Sequence, residues 1–586
     1  MVVVSTLVVL AVVAALSAGL VRLTGDRAGA GPACDGAPIP VRVGADASVR
    51  PWLSRLASSY TAEHHRVDDR CVRVTVDAVD AGQVGRALTT GAGDLDVWVP
   101  ESSAAVGLLR MQPAVNRALA VPTPSIASSP VALGLPLDAV TVLAQKVGRA
   151  PKLTDLLALA RDPAGWGTLA TGQQDWGPVR FSTPDPARTT LGASLVVAAV
   201  AGLTGVAPKD LGSSGFARVD ARDNLLGFTR TLIAAPPGAQ ALMDRAAGAA
   251  STADLLRSVG IVAVHERDIW DYDGRQPAVP LRAVYPIGGQ LAADHPFVVP
   301  DARWIGGTAR RAAAAFRTWL LSPATQQTLD SYGLRRADGG AGPKLSADRG
   351  VQPERIAPEP ARAPDGYAGA QAAWTLITRP TSTLTLLDVS GSMKDRVPGT
   401  TRTKLDLARA AGIGALQLTG PHDSLGLWEF ATKVDRGRDF RPLVPLGPVG
   451  ERVGPFADRR RATRAAYGSL RPLTDTGLYD SVLAAYQEAS RRYRADAVNT
   501  VVVISDGIND DPGGIPEAAL LARLRAGYDP QRPVHIVTLA YGAQADRAAL
   551  ARIAGATRGL PFAAVDPRSI SDVFIAAVTA YRLTAG

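Results

Sequence analysis

Histidine, cysteine and lysine are all scarce in this chain, and their scarcity limits the chemistry that it can carry out. The six histidines are scattered, and the adjacent pair His64 and His65 lacks the spacing of metal ligands, so we assign them no function. No nucleophile with a nearby base can be recognised, and Ser390 and Ser392 lie outside any Gly-x-Ser-x-Gly elbow. The sequence therefore predicts that the protein is not an enzyme.

The charge of the chain does not indicate a nucleic-acid partner. The formal net charge is +9, from 63 Lys+Arg and 54 Asp+Glu. The densest basic cluster, at residues 459–464, is not interleaved with aromatic residues, which favours a solvated helix face over nucleic-acid binding. With 586 residues, the chain is long enough for several domains with buried cores.

Residues 2–21 are an uncharged, largely apolar stretch. As a helix this stretch would be roughly 30 Å long, enough to cross a bilayer. It is either an uncleaved signal anchor, which its length favours, or a signal peptide cut after residues 28–30. The basic residues follow the stretch, which opposes an exported C-terminus by the positive-inside rule. We expect residues 1–25 to be this anchor or signal peptide, and the protein to be a single-pass cell-membrane protein with its domains facing outside.

The two cysteines, Cys34 and Cys71, each precede an apparent strand. Adjacent parallel strands of one βαβ unit would bring these positions close together. A disulfide is the natural interpretation in an oxidising compartment, and two unrelated buried thiols are the alternative.

The most informative motif is Asp-x-Ser-x-Ser, formed by Asp388, Ser390 and Ser392. It follows residues 383–387, a leucine- and threonine-rich run that is typical of a buried strand. One carboxylate and two hydroxyls thus leave the strand together at its C-terminal end, where ligands bind in open α/β sheets. The motif alone is short, and Asp and Ser also favour helix caps.

Two later segments extend this pattern. Residues 476–480 read Thr-Gly-Leu-Tyr-Asp and supply Thr476, and an apolar run closed by Ser-Asp-Gly supplies Asp506. In this order the three segments resemble the metal-ion-dependent adhesion site of von Willebrand factor A (VWA) domains. Residues 473–475, Leu-Thr-Asp, depart from the small glycines that usually precede the threonine in that family.

The resemblance implies a divalent cation, Mg²⁺ or else Mn²⁺ or Ca²⁺. Ser390, Ser392 and Thr476 would bind it directly, and Asp388 and Asp506 would hold it through water. Mg²⁺ keeps several waters and uses few carboxylates. One water position can therefore accept a carboxylate from another protein, so the implied partner is a protein that supplies an acidic side chain.

Strands and helices alternate between residues 36 and 338, in a βαβαβ order that predicts a parallel sheet. Residues 41–48, 96–103 and 181–192 resemble, in this order, the ligand loops of type 2 periplasmic solute-binding proteins. The resemblance implies two lobes with a cleft between them. Hydroxyls near helix N-termini would face this cleft, or they simply cap the helices: Ser48, Ser102, Ser103, Thr189 and Thr190.

The predicted fold is α/β, with an N-terminal transmembrane helix followed by two different domains. A two-lobed periplasmic-binding-protein-like domain at residues 36–338 is joined by a Pro- and Gly-rich linker at 339–370 to a doubly wound, Rossmann-like VWA domain at 379–586. The expected function is metal-dependent binding of a protein partner. The alternative is a transport receptor that captures a small solute between its lobes.

Overall fold

A computed structural model describes residues 36–577, except for positions 122, 163, 170, 171, 218–224, 226, 230, 286–291, 358–363, 417, 418, 421, 572, 575 and 576. The described chain folds into two compact α/β units, which divide between Ala373 and Trp374. This boundary lies inside a helix, Pro364–Thr378.

The strands of the N-terminal unit are β1 (Ile39–Ala45), β2 (Arg66–Val67), β3 (Arg70–Ala78), β4 (Val97–Val99), β5 (Ser129–Pro136), β6 (Phe181–Ser182), β7 (Leu232–Ala234), β8 (Ile261–His265), β9 (Leu281–Val284) and β10 (Ala292–Ala293). Its helices are Arg50–Ala62, Ala81–Thr90, Ser103–Arg110, Pro113–Asn116, Leu137–Val147, Leu153–Ala160, Thr190–Thr204, Ser213–Ala217, Gln240–Ala247, Thr252–Ser258, Glu266–Asp273, Gly307–Leu320 and Pro323–Thr328.

The first lobe of this unit is built on a four-stranded sheet in the order β2-β3-β1-β4. β1 pairs in parallel with β3 and with β4, as the βαβαβ order predicts. Helices Arg50–Ala62 and Gly307–Leu320 supply Trp52, Tyr60 and Phe316 to its core, where all three are buried. The second of these helices follows the strands of the second lobe, so the chain returns to the first lobe after building the second.

The second lobe contains a six-stranded mixed sheet, in the order β10-β5-β8-β6-β7 with β9 also paired to β5. Helix Thr190–Thr204 is buried along most of its length. It begins after Thr189, whose hydroxyl accepts a hydrogen bond from the Gly192 N–H at 3.0 Å. It ends at Gly205, whose φ of 73° favours glycine at a helix C-terminus.

Residues 339–356, predicted as part of a linker, instead pack against the second lobe. Leu345 and Val351 lie in the core of that lobe. The Arg335 guanidinium donates to both carboxylate oxygens of Glu266, at 2.7 and 2.6 Å, and to the Gln352 carbonyl at 2.6 Å. The Pro and Gly content of this segment suggested a linker. Its position is instead determined by the buried side chains of Leu345 and Val351 and by the hydrogen bond from Arg335.

The strands of the C-terminal unit are β11 (Thr381–Asp388), β12 (Ser424–Asp435), β13 (Arg438–Pro448), β14 (Val498–Ser505), β15 (Val534–Tyr541) and β16 (Pro561–Ala564). Its helices after the boundary are Lys404–Ala415, Arg459–Ser469, Leu478–Arg491, Glu517–Gly527 and Arg547–Ala556.

The sheet of this unit has the order β13-β12-β11-β14-β15-β16, parallel except for the β12–β13 pair. Alternate residues of the central strand β11 enter different cores: Leu384 and Leu386 lie on one side, and Leu387 lies on the other. Helices therefore cover both faces, and the sheet is doubly wound with Rossmann-like topology, as the sequence predicts.

The prediction of a single-pass membrane protein is corrected. Within the residues that the structure describes, no helix is both long and apolar enough to cross a bilayer. Residues 2–21, on which that prediction depended, lie outside the described residues.

Candidate functional site

The predicted metal-site residues lie at the carboxyl edge of the C-terminal sheet. β11 ends at Asp388, and β14 ends at Ser505, directly before Asp506. The two strands are parallel neighbours, so their carboxyl ends meet near the middle of the sheet. The side chains of Asp388 and Asp506 are both buried there.

Each carboxylate oxygen of Asp388 accepts one hydrogen bond. One carboxylate oxygen accepts from the Ser390 N–H at 2.8 Å, and the other accepts from the Ser505 hydroxyl at 2.6 Å. Burial and the negative charge of Asp506 together raise the pKa of Asp388 to about 6, although these hydrogen bonds act to lower it. A cation at this edge would favour the ionised carboxylate.

Two hydroxyls connect the two carboxylates. The Ser390 and Ser392 hydroxyl oxygens are 3.2 Å apart, and the Ser392 hydroxyl donates to Asp506 Oδ1 at 2.7 Å. Hydrogen bonds thus connect four of the five predicted residues: Asp388, Ser390, Ser392 and Asp506.

Thr476 lies beside these four residues. A Cβ atom added at Gly507 would be 3.1 Å from the Thr476 hydroxyl oxygen, so Thr476 faces the residue that follows Asp506. Its loop is attached to both neighbouring loops: the Gly391 N–H donates to the Thr474 carbonyl at 2.8 Å, and the Asp510 N–H donates to the Thr476 carbonyl at 2.8 Å. The departure from the usual glycines at 473–475 therefore leaves Thr476 at the same edge.

The sequence did not identify Lys404, whose ammonium group donates to Asp506 Oδ2 at 2.6 Å and lies 3.6 Å from Asp395. Lys404 is the first residue of its helix, after the capping residue Thr403. A cation in the first turn opposes the helix dipole. That unfavourable position was the available signal that Lys404 has a carboxylate partner elsewhere.

The donor set at this edge consists of oxygen atoms, from two carboxylates and three hydroxyls. Such a set suits hard cations such as Mg²⁺ or Ca²⁺. Asp388 and Asp506 with Lys404 carry a formal charge of about −1, and Asp395, also near Lys404, is 58% exposed and screened by solvent, so a divalent cation would leave a local excess of about +1. The residues present therefore fit a divalent ion.

A second acidic cluster, also missed by the sequence analysis, lies in the same unit. Carboxylate oxygens of Asp439, Asp480 and Asp511 lie within 4.8 Å of one another. Burial raises the pKa of Asp439, and the charge of Asp511 contributes to the same shift. The Ile515 N–H donates to Asp480 at 2.8 Å, so a neighbouring loop is already bound to this cluster.

In the N-terminal unit, two of the five predicted cleft hydroxyls meet across the lobes. The Ser102 hydroxyl, after β4 of the first lobe, donates to the Thr190 hydroxyl of the second lobe at 3.0 Å. Glu101 reaches the same place: its Oε2 accepts from the Thr190 N–H at 3.0 Å and the Leu191 N–H at 3.1 Å, and also from the Thr190 hydroxyl.

The other three residues have other partners. Ser48 donates to Asp46 at 2.8 Å, Thr189 caps its own helix, and the Ser103 N–H donates to Asp294 at 2.6 Å. The helix-capping alternative therefore describes Thr189, whereas among the described residues Ser48 caps no helix and bonds only to Asp46.

Two buried histidines lie near this contact. His265 Nε2 lies 3.5 Å from Glu101 Oε1, and the ring centroids of His265 and His295 are 6.4 Å apart. His265 Nε2 and His295 Nδ1 make no hydrogen bond with described residues. His295 also has a φ of 24°, which is uncommon for a residue with a side chain.

The pH dependence of stability should report on His295. Burial, with the nearby His265, lowers the pKa of His295 to about 3. Between pH ~6.5 and this value, His295 is therefore protonated in the unfolded chain but neutral in the folded chain, and the folded protein loses stability as the pH falls. We expect the wild-type protein to lose up to about 3 kcal/mol of unfolding free energy relative to His295→Asn between pH 6.5 and 4. Asparagine tolerates a positive φ better than most residues.

Urea unfolding at several pH values measures this difference. Burial raises the pKa of Glu101 and of Asp294, so these two groups stabilise the folded state as the pH falls. Because wild type and His295→Asn both contain them, their effect cancels in the comparison. His422→Asn, at an exposed histidine, is the control and should follow the wild type. Parallel curves for wild type and His295→Asn would contradict the expectation.

The cysteine pairing stays a prediction. Cys71 is buried in β3, and no free cysteine occurs among the described residues. Cys34 lies outside them.

Comparison with known proteins gives the following similarities. An uncharacterized protein of Mycobacterium tuberculosis, Rv1836c, is 27% identical over 543 residues, which cover 89% of this chain and 74% of that protein. Iron-bound HitA from Pseudomonas aeruginosa is 15% identical, covering 58% of this chain and 98% of that chain with a TM-score of 0.37. A von Willebrand factor type A structure from Catenulispora acidiphila is 20% identical, covering 35% of this chain and 43% of that chain with a TM-score of 0.28.

The N-terminal unit has two α/β lobes with a contact between them. Residues 41–335, just over half of the 586-residue chain, match the bacterial extracellular solute-binding protein family. The chain belongs to that family.

Proposed function

We propose that the C-terminal unit is a VWA-type domain that binds Mg²⁺, or else Mn²⁺ or Ca²⁺, and through it an acidic side chain of a protein partner. The supporting observation is the convergence of Asp388, Ser390, Ser392 and Asp506 at the carboxyl edge of two central strands, with Thr476 beside them.

Charge supports this type of binding. Three of the five donors are neutral hydroxyls, and Lys404 already neutralises part of the charge of Asp506. A bound divalent ion would retain an excess positive charge and at least one exchangeable water. A carboxylate from a partner would balance that charge, whereas an amide of the same shape would not.

Thr476→Ala should weaken the binding of divalent metal and of the partner together, because it removes one direct ligand. An exposed ion pair at a protein surface contributes only ~0–1 kcal/mol, so a loss of binding well above tenfold would indicate the metal site. The measurement is retention of partner proteins from cell extract on the immobilised full chain, with MgCl₂ and with excess EDTA, beside Mg²⁺ titration calorimetry.

Thr474→Ala is the matched control, because Thr474 is an exposed threonine of the same loop that lies outside the five-residue set. It should retain both kinds of binding. Equal retention of the partner by wild-type protein in MgCl₂ and in EDTA would contradict binding of the partner through a metal ion.

A second candidate function is a receptor for a small solute, with the cleft of the N-terminal unit as its binding site. Membership of the solute-binding family supports it. A thermal-shift screen of the full chain against small solutes tests this function. If no solute raises the melting temperature, the result contradicts the receptor function.

A further inference from the structure

One carboxylate of the first lobe occupies the N-terminus of a long helix in the second lobe. Glu101 Oε2 accepts hydrogen bonds from the Thr190 N–H, the Leu191 N–H and the Thr190 hydroxyl. The helix Thr190–Thr204 has 15 residues, and its first N–H groups have no partner inside the helix. Such groups, with the positive end of the helix dipole, suit an anion.

This contact connects distant parts of the chain and excludes water. Glu101 and Thr190 are separated by 89 residues, and each is at most 9% exposed. Burial and the nearby charge of Asp46 raise the pKa of Glu101, so holding a carboxylate here has an energetic cost. The nearby His265 and the hydrogen bonds from Thr190 and Leu191 offset part of it.

The other oxygen of Glu101 points to a second, independent feature. His265 Nε2 lies 3.5 Å from Oε1 and forms no hydrogen bond with described residues, although His265 is only 4% exposed. A buried nitrogen without a partner is costly, because desolvation is not compensated. Glu101 therefore satisfies the helix N-terminus but approaches His265 without forming a hydrogen bond, as a stand-in for a better-fitting ligand would.

We propose that the cleft between the lobes is a site for a small carboxylate, and that Glu101 fills this site as an internal ligand. The inference deepens the solute-receptor proposal and rests on it. A solute carboxylate would take the Thr190 and Leu191 N–H groups, and its second oxygen would reach His265. Glu101 has to leave for such a solute to bind.

Chemical rescue of the full chain tests the inference. Glu101→Ala removes the internal carboxylate and leaves its donors buried, so this variant should melt below the wild type. Sodium acetate, which carries the missing group, should raise its melting temperature by roughly 2–4 °C more than sodium chloride of equal ionic strength. Wild type should show no acetate-specific rise, because its site is filled.

Two control variants make the result specific. Glu354→Ala removes an exposed glutamate of the same unit and should show no acetate-specific rise. Glu101→Gln retains the volume and an accepting oxygen, so it should fold and also show none. An Ala variant that melts no higher in acetate than in chloride would overturn the inference.

If Glu101→Ala does not fold in chloride, the rescue is measured as the folded fraction after refolding in acetate and in chloride, by near-ultraviolet circular dichroism. More folded protein in acetate supports the internal-ligand role, and equal fractions overturn it. The solute screen on wild type is separate: its failure bears on the receptor function, and the acetate result bears on the inference.

Discussion

Replacement of Asp388 by alanine is expected to lower the affinity of the full chain for Mg²⁺ and Mn²⁺ roughly 100-fold, the upper end of the range for a residue that acts on a metal from the second coordination sphere. Asp388 accepts hydrogen bonds from the Ser390 N–H and the Ser505 hydroxyl. Its loss therefore removes a negative charge and also releases the loop that carries two of the proposed ligands.

Isothermal titration calorimetry with MgCl₂ and MnCl₂ measures this effect. Asp388→Asn separates charge from shape, since the amide oxygen can still accept the Ser390 N–H, and it should lose affinity almost as fully. Asp510→Ala removes an exposed carboxylate at the same edge and should bind metal as the wild type does. Equal affinities in wild type and Asp388→Ala would refute the metal-site proposal.

Arg335→Met is expected to lower the unfolding free energy of the N-terminal unit by about 3–5 kcal/mol, because it leaves a buried carboxylate without its counter-ion. The side chains of Arg335 and Glu266 are both fully buried, and Arg335 also binds the carbonyls of Gln352 and Glu354. Methionine fills similar volume but makes none of these hydrogen bonds.

Urea unfolding measures the loss, and amide hydrogen exchange should rise across residues 345–356. Arg336→Met is the matched control: the neighbouring arginine is 38% exposed and forms a long ion pair with Asp338, so its loss should cost at most ~1 kcal/mol. Equal midpoints for the two variants would show that the buried pair contributes no more than the exposed one.

The sequence predicted the features that are local. β11 and β14 are rich in leucine and β-branched residues and are buried throughout, and they end at Asp388 and directly before Asp506, so the strands and the positions of both carboxylates follow from one short stretch each. Parallel pairing of neighbouring strands then brings both carboxylates to one edge.

The features that the sequence did not reveal depend on distant partners. Lys404 is 102 residues from Asp506, and Glu101 is 89 residues from Thr190. A lysine that opens a helix and a glutamate beside two serines have ordinary solvated alternatives. The packing of residues 339–356 likewise depends on the buried Arg335 and on Leu345 and Val351, whereas the composition of the segment indicated only a Pro- and Gly-rich linker.

The contact of Glu101 with the helix Thr190–Thr204 also provides a criterion for sorting related sequences. A single nucleotide change converts a glutamate codon to one for alanine, glycine or glutamine, so filled and empty clefts lie one mutational step apart. We expect relatives with glutamate at this position to bind a solute only after this carboxylate has left the helix N-terminus. Relatives with a small residue there should bind solute directly and more tightly, and a sequence alignment alone would divide the two groups.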